Sequence, residues 1–566
     1  MNMPVTVVNG RTGRPYGIRH PVRTAWSVVQ IVAASLIFFG SVRAQGSSSP
    51  ISLSGTFDAG TEMYSSEGID PRRPHNAFRA VFSPTISIFD QIRLPFEFYV
   101  TSEDRGFQQP FNQFGVNPEL WGWLTLHAGY YTANTSELTY GDARMLGAGV
   151  EARPGNFRMA FLYGRIQQAL APDTANGFRG AFERRAWAAK IGYGAETGLH
   201  LYVNLMRAYD DSTSLSGAPP DVAPKENLVA SVQYGIPLLT HALFLSGEFA
   251  LATISNDTRI APLDSSTGFL SSMFTPRYSS QVDGAATISL AITPSETWSL
   301  QFSGRWVGPG YVTLGYPLLQ NDDLDGLVSP SVRLFDHKLS IRGSLGLRYN
   351  NLRNTKLSTT RRTIGTMNIS VLPAPEWGVD FMYANYGMQS GTVNDTLRLA
   401  NISQSVTISP RYTFPAFGGL STTLLTYSMQ QFTDFNTITG SLSDNTTHAG
   451  VVSWIMSWPS TFALTTTLMY TSSVAYAYET IVKGITETAA YSLSGAVSTH
   501  LSVGYTEIRT VGDDGQIVGR ASVTYSPKGW GSFTLTISSN AYNYDPRSSA
   551  ASFREHVGSL SYSYGF

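Results

Sequence analysis

The 566-residue chain contains no cysteine. That excludes disulfides, thiolate metal sites, thiol nucleophiles and a lipidated N-terminal Cys. Charge is scarce as well: 14% of residues are Asp, Glu, Lys or Arg, and the formal net charge is −1. No basic surface for nucleic acid is implied. Beyond residue 50 there is no run of the ~18 apolar residues that a membrane helix needs. Mean hydropathy is near neutral at −0.07, whereas a helical membrane protein is far more apolar and a disordered chain far poorer in aromatics. Aromatics reach 12%, and Gly, Ser, Thr and Tyr are plentiful. This composition suits many strands with one small, polar face and one aromatic-rich face.

The N-terminus reads as a targeting segment. Arg11, Arg14, Arg19 and Arg23 precede the apolar run from Ala25 to Gly40, and Val42-Arg43-Ala44 follows. This is the charged, apolar and small-residue order of a secretory signal peptide over residues 1–44, with cleavage expected after Ala44. A retained signal anchor is the alternative. Removing these residues takes away five Arg and no acid, so the formal charge moves from −1 to −6. Only a short linker, 45–50, then precedes the first strand, which leaves no room for the folded plug of an energy-coupled receptor.

Alternation of period two dominates the rest. In Leu339 to Asn350, Leu339, Ile341, Gly343, Leu345, Leu347 and Tyr349 take one face, and Ser340, Arg342, Ser344, Gly346, Arg348 and Asn350 the other. One face suits lipid and the other water. Short turns are expected at Asp90-Gln91, Pro154 to Asn156, Ala195 to Gly198, Leu238-Leu239, Pro294 to Glu296, Asp336-His337, Pro373 to Glu376, Phe414 to Gly418, Pro459-Ser460, Gly495 to Ser498 and Pro527 to Gly529. Longer connections fall between them, at 66–75, 168–183, 209–224, 255–275, 308–324 and 434–442. Trp298, Trp377, Trp458 and Trp530 flank short turns, the place of an interfacial aromatic girdle. The fold expected is all-β, a single antiparallel transmembrane barrel over residues 51–566. Periodicity alone yields about 25 strands, and the even number required of a single-chain bacterial barrel points to a missed strand at Pro110 to Leu120. The expectation is therefore 26 strands, with 24 as the alternative.

The C-terminal set Leu560, Tyr562, Tyr564 and Phe566 alternates with small residues and ends on the last residue. It resembles the terminal strand that outer-membrane barrels present to their assembly machinery, with Phe566 as its closing mark. The stretch from Gln109 to Arg165 resembles outer-membrane barrels of Bacteroidota and Chlorobi-type bacteria. Its tokens are Phe114-Gly115-Val116, Leu124 to Tyr130, Leu146 to Glu151 and Pro154 to Arg158. The likeness covers about a tenth of the chain and implies fold and location rather than activity. Strand, loop and Gly-rich strand in this order also resemble porins whose third outer loop enters the lumen. That analogy makes Asn134 to Ala143 the candidate constriction loop, with Asn134, Glu137, Tyr140 and Asp142 as its residues.

Catalytic patterns are missing. The nine histidines are scattered with no pair at ligand spacing, and there is neither a G-x-S-x-G elbow nor a G-x-x-x-x-G-K-[ST] loop. Gly147-Ala148-Gly149 sits in a strand pattern, where crowding between strands explains it better than phosphate binding. No enzyme activity and no cofactor are expected. Assigning each strand's apolar parity to lipid puts Arg158, Lys190, Arg305, Arg342, Arg348, Arg362, Arg398, Arg411 and Arg520 in the lumen, against Glu97, Glu151, Glu248, Asp283 and Asp380. Such charges solvate the inner wall and pair across strands. Their basic surplus is also what a field favouring anions requires. The leading expectation is a porin-like channel for passive diffusion of small hydrophilic solutes. A non-transport barrel that anchors a surface complex or assists secretion is the alternative, and a soluble secreted all-β protein is disfavoured by outward aromatics with no second layer.

Overall fold

The computed structural model describes residues 50–566 apart from 90, 103–112, 142, 174–176, 216–218, 220, 240–241, 264–272, 357, 393–398, 437–439, 477, 511 and 548–549. The chain divides into two units, Met1–Ser52 and Leu53–Phe566. The expected signal peptide, its expected cleavage site and all of the expected linker but Pro50 lie outside the described residues. So do Asp90, Asp142 and Arg398.

The second unit is a closed antiparallel β-barrel of 26 strands in which sequence neighbours pair. The strand Ile51–Glu67 meets the last strand, Phe553–Gly565, from Thr56 opposite Gly565 to Glu67 opposite Arg554. The strand expected at Pro110 to Leu120 is present from Gln113 on and is interrupted, and Pro110 to Asn112 lie outside the described residues. Gln113–Val116 and Glu119–Leu120 both pair with Ile92–Thr101 on one side and with Leu124–Thr132 on the other. Pro118, between the halves, has no N–H for the ladder, and its carbonyl accepts from Leu126 N at 2.8 Å. The helical content among the described residues is one turn, Gly440–Ser443.

Three proline-marked turns fall later than expected. The strands Ser280–Ser295, Ser358–Ala374 and Ala400–Ala416 run through Pro294, Pro373 and Pro415. In the first two, the register shifts between Ile292 and Ser295 and between Val371 and Ala374. A bulge frees the residue from the ladder, so a proline fits inside the strand instead of ending it. The connection expected at 255–275 is also longer, because the next strand begins at Ser280.

The two faces separate by parity. Phe157, Phe161, Ile191, Tyr193, Leu201, Phe249, Leu251 and Leu345 are exposed on the outer face, where apolar side chains meet hydrocarbon. Trp121, Trp298, Trp377 and Trp530 are exposed beside short turns, and Trp121 stacks on Trp123 at 5.8 Å. The terminal aromatics join this ring: Tyr562 stands 4.5 Å from Phe533, and Phe566 stacks on Phe82 at 6.1 Å. Toward the long-loop end, the outer face turns charged, as where Lys483 lies opposite Glu507 and Arg509 opposite Asp513. Strands of 12 to 17 residues such as these exceed the ~9–11 that hydrocarbon requires, so their ends project beyond it.

On the inner face, Gly115, Gly129, Gly147, Gly164, Ala186 and Ala208 form one row across consecutive strands. A Cβ on Gly147 would stand 2.0 Å from the Tyr163 carbonyl oxygen. Crowding between strands fixes glycine there.

Candidate functional site: the lumen wall and its inserted segments

Two connections fold into the barrel. The first, 133–143, joins Leu124–Thr132 to Arg144–Ala152, and the second, 308–322, joins Trp298–Val307 to Asp323–Leu334. Leu138, Tyr140, Tyr311 and Leu314 bury their side chains in a cluster with Met145, Leu162, Ala186, Ala188, Met206, Ala208, Val229, Ala250, Ala252, Ile254 and Val307. Small wall residues leave the volume that the loops' aromatic and aliphatic side chains fill, and burying such groups stabilises by about 1.5–3 kcal/mol each.

Polar contacts fix the position of both segments. Ser136 Oγ donates to Glu248 Oε1 at 2.5 Å, and Thr139 Oγ1 meets Ser231 Oγ at 2.8 Å. Lys190 Nζ donates to the Thr135 carbonyl at 3.0 Å while standing 4.6 Å from the centre of the Tyr202 ring. Asn227 Nδ2 donates to Val312 O, and Asn227 Oδ1 accepts from Leu314 N, both at 2.9 Å. Asp283 accepts from Gly310 N at 2.7 Å and from Arg353 at 3.0 Å. The segments also hold each other, with Tyr311 donating to Leu138 O and Thr313 to Thr139 O.

Beyond the buried cluster, the wall carries a charged row. Arg305, Asp325, Arg348 and Arg362 stand directly opposite one another on four consecutive strands. Arg348 grips Asp325 with two hydrogen bonds, at 2.5 and 2.8 Å. Arg305 faces Glu137 of the first segment at 3.7 Å. Two cavities follow this row. One of about 430 Å³ is lined by Glu137, Arg305, Asp325 and Arg348, and one of about 550 Å³ lies between residues 311–321 and the wall.

The remaining sequence-derived residues are dispersed. Arg158 bends to the carbonyls of Gly155 and Phe157 at the short turn. Glu151 meets His127 at 3.2 Å, and His127 meets Asn117 at 2.7 Å. Glu97 faces Arg144 at 3.4 Å. Arg342 and Asp380 line a separate cavity. Arg411 lies opposite Gly378, and Arg520 opposite Ser502 and Ser538. In the first segment Asn134 is exposed, and Tyr140 donates to Ala143 O at 2.5 Å. Among the described residues, no group of three or more His, Asp or Glu could hold a metal ion.

Several residues of the site escaped the sequence reading: Asn227, Ser231, Lys225, Asp325, Lys356 and the whole second inserted segment. A signal existed for the segment. Tyr311, Val312, Leu314, Leu318 and Leu319 make 308–324 too apolar for an outer loop in water. Asn227 breaks the alternation at the head of its strand, and nothing local tells what it bonds.

A closed barrel of even strand number, with an apolar outer face, aromatics around its short-turn end and a polar interior, is an integral outer-membrane β-barrel. No family model and no curated protein matches the chain. Among solved structures, the siderophore receptor PirA from Pseudomonas aeruginosa is 11% identical; the match covers 90% of this chain and 80% of that one, with a TM-score of 0.39. The P pilus usher PapC translocation pore is 11% identical over 91% of this chain and 99% of that one, with a TM-score of 0.38. OccAB4 of Acinetobacter baumannii is 12% identical over 68% and 99%, with a TM-score of 0.30. These likenesses are loose, and the barrel is established by the strand register itself.

Proposed function

We propose that the protein is a channel for passive diffusion of small hydrophilic solutes, exported on residues 1–44, with a passage that favours anions. The observation that carries this reading is the uneven filling of the lumen. A barrel of about 26 strands is too wide for its own side chains to close. Among the described residues, the buried cluster joins both inserted segments to the wall between Tyr131 and Val307 and includes nothing beyond Leu319. The later wall is lined by hydroxyl pairs, among them Ser344 with Thr366, Thr413 with Thr422, Thr488 with Ser502 and Thr524 with Thr534. Such a surface is wetted by water and offers a neutral solute hydrogen bonds of either sense.

The anion preference is supported by the surplus of the charged row, in which Arg305, Arg348 and Arg362 stand against Asp325 and Glu137, on a low-dielectric wall that focuses its field into the lumen. Segment 133–143 acts as the constriction, placing Glu137 opposite that row. Swelling of liposomes loaded with the purified barrel, read against neutral sugars of increasing size, tests the reading. Entry of small sugars and exclusion of large ones is expected. Liposomes that do not swell would favour the anchoring role instead.

A further inference from the structure

The 550 Å³ cleft is bounded by residues 311–321 and by Arg184, Lys225, Asp323, Arg348, Lys356 and Arg362. Five cations and one carboxylate line it, and three of those cations are already neutralised. Arg184 holds Asp210 at 2.7 and 3.1 Å, Arg348 holds Asp325, and Lys356 pairs with Asp322. Lys225 and Arg362 have no ion-pair partner among the described residues. Arg362 lies directly opposite Arg348, whose carboxylate partner Asp325 is on the strand beyond. The frame beneath Lys225 is fixed, because its backbone N donates to the same Asp210 carboxylate at 3.0 Å. The loop on the other side is pinned by Asn227. The cleft is thus a held cavity, of a volume that suits a small molecule, in which Lys225 and Arg362 stand against the one remaining carboxylate, Asp323, a formal surplus of one positive charge on its lining.

We propose that this cleft binds a small organic dianion of the dicarboxylate type, one anionic group toward Arg362 and the other toward Lys225. The site concentrates such solutes at the entrance of the passage, and for that role it rests on the channel reading. Arg184 and Arg348 do not serve as primary ligands, since each is committed to a buried or half-buried carboxylate.

The test uses the full mature barrel in planar bilayers, with succinate, acetate or sucrose added on either side. Succinate should interrupt the potassium chloride current saturably, acetate much more weakly and sucrose not at all. Loss of one charge-assisted contact is worth about tenfold in affinity. Lys225→Gln and Arg362→Gln should therefore each weaken the block about tenfold, while Lys528→Gln, in a distant short turn, should leave it within about twofold. Heat-modifiable migration on a gel verifies folding of each variant. Equal block by acetate and succinate, or unchanged block in both cleft variants, would overturn the proposal. Calorimetric titration of succinate into the detergent-solubilised barrel separates the two failures. Binding without conductance rejects the channel and keeps the site, and conductance without binding rejects the site alone.

Discussion

At the scale of single residues, the inserted segments depend on a few buried polar groups. Asn227 is fully buried and makes three hydrogen bonds, to Thr253 O, Val312 O and Leu314 N. Asn227→Ala leaves those partners unsatisfied, at about 1–3 kcal/mol each, and the cost falls on the attachment of 308–322 rather than on the ladder. The barrel should still fold while the segment becomes protease-sensitive and single-channel current noisier. Limited proteolysis with the variant and wild type side by side checks this. Asp322 sets a pH limit on the same segment. Burial alone would raise its carboxyl, but hydrogen bonds from Lys356 and from the Leu352 amide outweigh burial and hold it below the ordinary carboxylate range. A carboxyl depressed by folding contributes stability that is complete above its unfolded value of about 4 and is lost as pH falls through its folded value. The anchor should thus stay intact from neutral pH down to about 4 and loosen below it, with proteolysis again the readout. In Asp322→Asn that acid-dependent step should be missing.

At the scale of strands, period two made most of the wall legible. The strand Leu339–Asn350 has the span its alternation implied, and the register puts Arg348 beside Asp325 and opposite Arg362. A one-residue slip would carry Arg342 and Arg348 into hydrocarbon at about 2–4 kcal/mol each near the midplane. Because the chain has no native cysteine, Ser344→Cys and Leu345→Cys report the register cleanly. A charged, water-soluble thiol reagent should label the first, and only a lipid-soluble reagent the second. The reverse pattern would contradict the face assignment. Alternation could not reveal that 308–322 turns inward, because a loop's path depends on a cavity shaped by residues far away, such as Ala208 and Ala252. Nor could it place Pro294 and Pro373 within strands, since bulges cancel the usual stop signal.

The terminal strand belongs to the same scale. Phe566 exchanges two backbone hydrogen bonds with Gly55, at 2.9 and 3.0 Å, so the residue expected to mark the chain for assembly also closes the seam. Replacing Tyr564 and Phe566 together with charged residues should sharply reduce the heat-modifiable folded form. Wild-type levels in the double variant would sink the assembly reading.

For the whole molecule, the proposed passage is a wet lumen narrowed on one side by two latched segments, with Arg305, Arg348 and Arg362 along its wall. Composition foretold the class, through absent cysteine, sparse charge and abundant aromatics. The lumen wall is a property of closure, which sets residues as distant as Glu137 and Arg305 within 3.7 Å. Reversal potential across a planar bilayer in a potassium chloride gradient tests this central claim most directly. The wild-type barrel should conduct with a reversal potential on the chloride side of zero, and Arg305→Gln with Arg362→Gln should move it toward potassium. A correctly folded barrel that passes no current, or one whose selectivity ignores both substitutions, would contradict the account.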